Sequence, residues 1–140
     1  MKAMMPFVIA TLSFLLLTGC NSPEKEIEKT ILDNLKYAEE ENLDGYLGTL
    51  LLTSENRDFT AEQAKSLFEN EELDYKLISF KILELKDDTA EVKVIQTTKS
   101  KNQPSESFRD SKVTSIHSMK RVEGFWKLSG TNVQKAEYEQ

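Results

Sequence analysis

The sequence predicts an α+β fold of three N-terminal helices followed by an antiparallel sheet of about four strands, and three observations carry that reading. From Pro23 to about Glu41 the apolar residues Ile27, Ile31, Leu35 and Ala38 recur at helical spacing, with lysines and glutamates between them. After Asn70 the period changes to two, with Ala90, Val92 and Val94 alternating against Glu91 and Lys93. Two short turn signals, Asp87-Asp88 and Glu123-Gly124, divide that second half into hairpins. The chain contains no internal repeat or low-complexity stretch.

Each element has its own local warrant. Ser22 is placed to cap the first helix, Pro23 is tolerated at its first position, and Glu24 and Glu26 suit the positive end of the helix dipole. Asn42 caps a second helix running to about Leu52, with Leu43, Tyr46, Leu47, Leu50 and Leu51 on a broad apolar face. Gly45 and Gly48 interrupt it at a cost of about 1 kcal/mol each relative to Ala, which close packing at both positions would explain. Ser54 to Asp58 reads as a loop, and Thr60 with Gln63 as a capping box that starts a short third helix carrying Ala64, Leu67 and Phe68. Strands follow over Leu77 to Leu85 and Ala90 to Thr98, then, after a polar loop around Pro104, over about Ser107 to Val122. A last strand carries Trp126 and Leu128 on one face, and the polar tail after Val133 is expected to fray.

The first residues place one lysine, Lys2, ahead of an uncharged apolar run from Phe7 to Leu17. That is the layout of a secretory signal, and the run is shorter than the roughly 20 apolar residues that span a bilayer. At Leu17-Thr18-Gly19-Cys20 the segment resembles the lipobox of bacterial lipoproteins. The resemblance implies that the Cys20 thiol becomes a thioether to diacylglycerol, that a peptidase cuts between Gly19 and Cys20, and that Cys20 becomes the acylated N-terminus. Two or more acyl chains give stable anchoring, since each buried methylene contributes about 0.8 kcal/mol. Cys20 is the only cysteine, so no disulfide or thiolate metal site remains.

Residues 1–19 are thus expected to be a signal peptide and 20–23 a lipidated N-terminus and short tether. Residues 24–133 are expected to be the folded domain, and 134–140 a polar tail. Removal of residues 1–19 takes Lys2 with it and leaves 17 basic residues against 24 acidic ones, a net charge of −7 with His117 neutral. This acidity argues against a nucleic-acid partner and against the domain lying flat on an anionic membrane. The domain is expected to stand off the bilayer, on its extracytoplasmic face.

The chain also resembles the nuclear transport factor two-like superfamily over roughly Glu24 to Val133. The resemblance rests on Glu41-Asn42-Leu43-Asp44-Gly45-Tyr46-Leu47, similar to that family's acidic turn into its second helix. It rests also on the segment from His117 to Leu128, similar to its last hairpin. It implies a cone in which three helices cover a curved sheet. Similar domains include ketosteroid isomerases, polyketide cyclases, dehydratases and non-catalytic modules that bind partners. A cystatin-like module, one long helix wrapped by a sheet, explains three helical segments less well.

Candidate chemistry is sparse. His117 is the only histidine and no metal-ligand spacing exists, so no metal or cofactor is expected. His117 reads as a structural histidine that alternatively lines the cone's mouth with Tyr37 and Tyr46 as a ligand pocket. An isomerase-type site would need a carboxylate base in an apolar pocket facing an aromatic hydroxyl. Asp44, Asp110, Tyr37, Tyr46 and Tyr75 supply those residue types without a motif that assembles them. Trp126 beside Phe125 reads as a residue that closes the core rather than as a binding platform. The expected function is a non-catalytic, membrane-anchored binding module that meets an envelope protein or a small apolar ligand, with a small cone-fold isomerase or dehydratase as the alternative.

Overall fold

The computed structural model describes residues 22–102 and 108–140. The Gly19-Cys20 motif and the expected first residue of the third strand, Ser107, lie outside them. Three helices come first: α1 (Pro23–Glu39), α2 (Leu43–Gly48) and α3 (Ser54–Asn70). A four-stranded sheet follows, β1 (Leu73–Lys86), β2 (Thr89–Ser100), β3 (Ser111–Val122) and β4 (Phe125–Tyr138), in the order β1-β2-β3-β4 with every pair antiparallel. The α+β expectation is met.

The Ser22 hydroxyl accepts from the Lys25 N–H at 3.3 Å, and the four predicted apolar residues of α1 are all buried. The helix stops at Glu39, two residues early, because Glu41 takes a left-handed φ of 57° and the Asn42 N–H folds back to the Tyr37 carbonyl at 2.8 Å. Asn42 caps α2 as expected, its side chain accepting from the Gly45 N–H at 2.9 Å. That helix ends at Gly48 rather than near Leu52. Strand pairing wins there: the Leu51 N–H donates to the Leu128 carbonyl at 2.7 Å, and the Leu128 N–H to the Thr49 carbonyl at 2.9 Å.

The third helix corrects the sequence reading more strongly. It starts at Ser54, inside the expected loop and well before the Thr60–Gln63 pair. The polar side chains that suggested a loop serve as a cap, since the Asn56 side chain accepts from the Thr53 N–H at 2.9 Å.

In the sheet, β1 starts at Leu73, four residues earlier than expected, and carries two bulges, after Leu77 and after Ile82. Each inserts one unpaired residue, Ile78 and Leu83, and each of these apolar side chains is exposed. Bulges bend a strand and raise its twist, which curves the sheet around the helices. Glu123 and Gly124, at φ 52° and 83°, make the turn between β3 and β4. The segment expected to fray after Val133 does not: β4 continues to Tyr138, which pairs with Ser111, so residues 134–138 belong to the sheet.

The core joins Ile27 and Ile31 of α1 to Val92, Val94, Met119, Trp126 and Leu128 of the sheet. The Thr30 hydroxyl ties α1 to β4 by donating to the Trp126 carbonyl at 3.0 Å. Trp126 is 4% exposed and closes the core, with the Arg121 guanidinium 5.6 Å from its ring centre. Its indole Nε1 is buried and has no hydrogen-bond partner among the described residues. No helix among the described residues is long and apolar enough to cross a membrane.

Candidate functional site

The inward parity of β2 runs through Ala90, Val92 and Val94 and continues to Gln96 and Thr98, where the helices no longer supply isoleucines. There the structure leaves a small, partly open cavity of about 120 Å³ between α1, α2, α3 and the sheet. Asn34, Tyr46, Phe68, Tyr75 and Gln96 line it, together with small and aliphatic side chains. Tyr46 stacks edge-on against Phe68, ring centres 5.8 Å apart. The Asn34 amide donates to the Thr49 hydroxyl at 2.8 Å, which donates to the Tyr46 carbonyl at 2.6 Å and fixes the start of the Leu50 bridge.

Burial raises the pKa of both cavity tyrosines. For Tyr75 the rise reaches about 12, with the nearby Tyr46 phenol adding to it. Both phenols are therefore neutral hydrogen-bond groups at physiological pH. Among the described residues, the cavity's lining consists of neutral amide, phenol and apolar side chains. Its volume is below the roughly 300 Å³ at which small-molecule pockets begin.

The three residues expected to share a pocket do not meet. Tyr46 faces the cavity just described. Tyr37 lies on the other side of α2, lining an open groove of about 350 Å³ with Thr30, Asp33, Phe125 and Trp126. Its ring packs so closely on Gly45 that a β-carbon there would sit 2.6 Å from it. Close packing thus explains Gly45, whereas nothing lies within 4 Å of a β-carbon at Gly48. His117 is buried on the inner face opposite Val92, with Nδ1 2.8 Å from the Thr131 hydroxyl on β4. Burial lowers its pKa, which keeps the imidazole neutral.

The candidate acids are also dispersed. Asp44 is exposed in the first turn of α2, and the Asp110 carboxylate accepts from the Ser100 N–H at 2.8 Å, closing the β2–β3 connection. Among the described residues no group of His, Cys, Asp and Glu side chains has metal-binding geometry. Sequence reasoning missed Asn34, Phe68 and Gln96 as cavity residues. The available signal was Gln96, a polar side chain on the inward parity of an otherwise apolar strand.

Helices laid over the inner face of a curved four-stranded sheet, with a small cavity between them, define a cone-shaped domain of the NTF2-like class. Solved structures of that class superpose on it. An NTF2-like protein of unknown function from Pseudomonas putida KT2440 gives a TM-score of 0.66 at 12% identity, covering 84% of this chain and 94% of that one. A candidate dehydratase of the NTF2-like family from Streptomyces avermitilis gives 0.64 at 14% identity, over 80% and 97% of the two chains. A protein of unknown function with a cystatin-like fold from Nostoc punctiforme gives 0.63 at 11% identity, over 77% and 86%. At these identities the likeness concerns the fold alone. Within the class, the chain belongs to the family described as anti-sigma-I factor RsgI9, C-terminal domain, whose model matches residues 29–139. No curated protein matches this sequence.

Proposed function

We propose that the chain is a lipid-anchored, extracytoplasmic binding module without catalytic activity. The observation that carries this reading is the character of the inner cavity: about 120 Å³ and lined by neutral groups. An isomerase or dehydratase on this fold needs a base that faces the reacting carbon from within the cone, together with room for a substrate ring. The family description, which attaches this domain to an anti-sigma factor, supports a regulatory rather than a metabolic setting. The anchor rests on Leu17-Thr18-Gly19-Cys20 and the short apolar run before it.

Substituting Cys20→Ala in the full chain is expected to abolish incorporation of a labelled fatty acid and to leave uncleaved precursor. Equal labelling of the variant and the parent would refute the anchor. A full-length chain that turns over ketosteroid or hydroxy-ketone substrates would refute the non-catalytic reading, whatever the fate of Cys20.

A further inference from the structure

The net charge of this domain hides a strong separation of sign. Residues 22–72, which form the helical layer, hold 14 acidic against five basic side chains. The outer face of the sheet, the parity opposite Val92, Met119 and Trp126, holds nine lysines against four carboxylates. At the end nearest the start of α1, Lys86, Lys120 and Lys127 fall in one row across the strands. Further along, Lys81 stands opposite Lys93, and Lys76 and Lys112 flank Thr97.

Two features leave uncompensated positive charge on this face, although Lys99 stands opposite Asp74 and Lys112 opposite Glu137. Lysine stands directly opposite lysine twice, at Lys81–Lys93 and at Lys120–Lys127, an arrangement that destabilises a sheet. Three of the four carboxylates on the face are already engaged. Glu84 pairs with Lys86 at 2.8 Å, Glu137 pairs with Lys135 at 3.0 Å, and Glu91 accepts from the Ser118 hydroxyl at 2.8 Å. Lys76, Lys81, Lys93, Lys120 and Lys127 make no ion pair among the described residues. Half-buried Ile95 and Ile116 lie between the lysine rows, and a groove of about 270 Å³ opens at one end of the face among Glu84, Lys86, Glu91, Ser118 and Lys120.

We infer that the outer face of the sheet docks on an anionic phospholipid surface, with the acidic helical layer turned away from it. Diffuse positive charge on a broad, shallow face fits a continuous field of phosphate headgroups. The inference rests on the lipid-anchor reading for its geometry. Cys20 to Ser22 are three residues, which bridge on the order of 10 Å at most, about the diameter of one helix. A chain held at Cys20 therefore keeps the domain within contact distance of the bilayer, and the charge separation decides which side faces it. The net charge of −7, which on its own suggests a domain standing off the membrane, conceals two faces of opposite sign.

The test is amine acetylation footprinting of the full chain, purified with its anchor and reconstituted into vesicles of phosphatidylcholine alone or mixed with phosphatidylglycerol. In the anionic vesicles, acetylation of Lys81, Lys93 and Lys112 is expected to slow several-fold relative to Lys65 on α3, and high salt is expected to restore it. Equal rates in the two kinds of vesicle would overturn the proposal. So would protection that survives Lys81→Glu with Lys93→Glu in a variant whose unfolding midpoint matches the parent. The intact mass separates this proposal from the anchor reading. A chain without lipid on Cys20 that is still protected on anionic vesicles removes the anchor and keeps the docking face; a lipidated chain without protection does the reverse.

Discussion

The two ends of the sheet's inner face are made by the same strands and the same alternation, yet one is a packed core and the other a cavity. At the end nearest the start of α1, Ile27 and Ile31 fill the space over Val92 and Met119, and all four are at most 2% exposed. At the far end α1 offers Asn34, Leu35 and Ala38, the sheet offers Tyr75 and Gln96, and α3 contributes Ala64 as its only buried residue. Side-chain volume and polarity on one helix therefore decide whether an inward-facing strand position becomes core or cavity wall. The stability of the domain should be concentrated at the first end and any adaptability at the second.

Truncation at each end breaks or confirms this contrast. Trp126→Ala at the packed end is expected to destabilise the full chain by about 3–5 kcal/mol, the usual cost of emptying a buried indole site. Tyr75→Phe at the cavity end removes only a hydroxyl and is expected to cost less than about 1 kcal/mol. Denaturant titration measures both, and comparable losses would show that the cavity end is as tightly determined as the core.

The two glycines of α2 sharpen the comparison along the boundary between the ends. Gly45→Ala drives a β-carbon into the Tyr37 ring and is expected to cost about 1–3 kcal/mol despite the better helix propensity of Ala. Gly48→Ala meets no atom within 4 Å and is expected to be neutral or to stabilise by up to about 1 kcal/mol. Equal thermal shifts for the two variants would contradict the packing of Tyr37 on Gly45.

The smallest expected effect concerns His117, opposite Val92 on the inner face. Its folded-state pKa lies below the ordinary 6.5 because burial disfavours the charged ring. As pH falls below that ordinary value, the unfolded chain takes up a proton that the folded one does not, so this part of the stability is lost towards acid. His117→Gln is expected to lessen the drop in unfolding midpoint between about pH 7 and about pH 5, relative to the parent. Parallel acid dependence of the two proteins would mean that His117 is protonated within the fold.

Much of the fold was legible because its signals are local. The caps at Ser22 and Asn42, the buried stripe of α1, the alternation around Val92 and the turn at Glu123-Gly124 each involve residues within a few positions of one another. The misreadings share a cause. Leu50 and Leu51 left α2 because a distant strand offered pairing at Leu128, and residues 134–138 stayed ordered because β3 supplied the partner. The expected pocket of Tyr37, Tyr46 and His117 failed because α2 separates the first two and the third points into the packed sheet.

By itself, then, the sequence determined the order of elements, the buried stripe of α1 and the inward face of β2, since helical period, strand alternation and capping act between near neighbours. Only the tertiary structure decided that Tyr46 and Tyr75 share a cavity with Gln96, and that Lys81 meets Lys93 on one exposed face. Those associations depend on the register between strands, which is set by burial of the whole inner face and by the bulges in β1, rather than by any short segment.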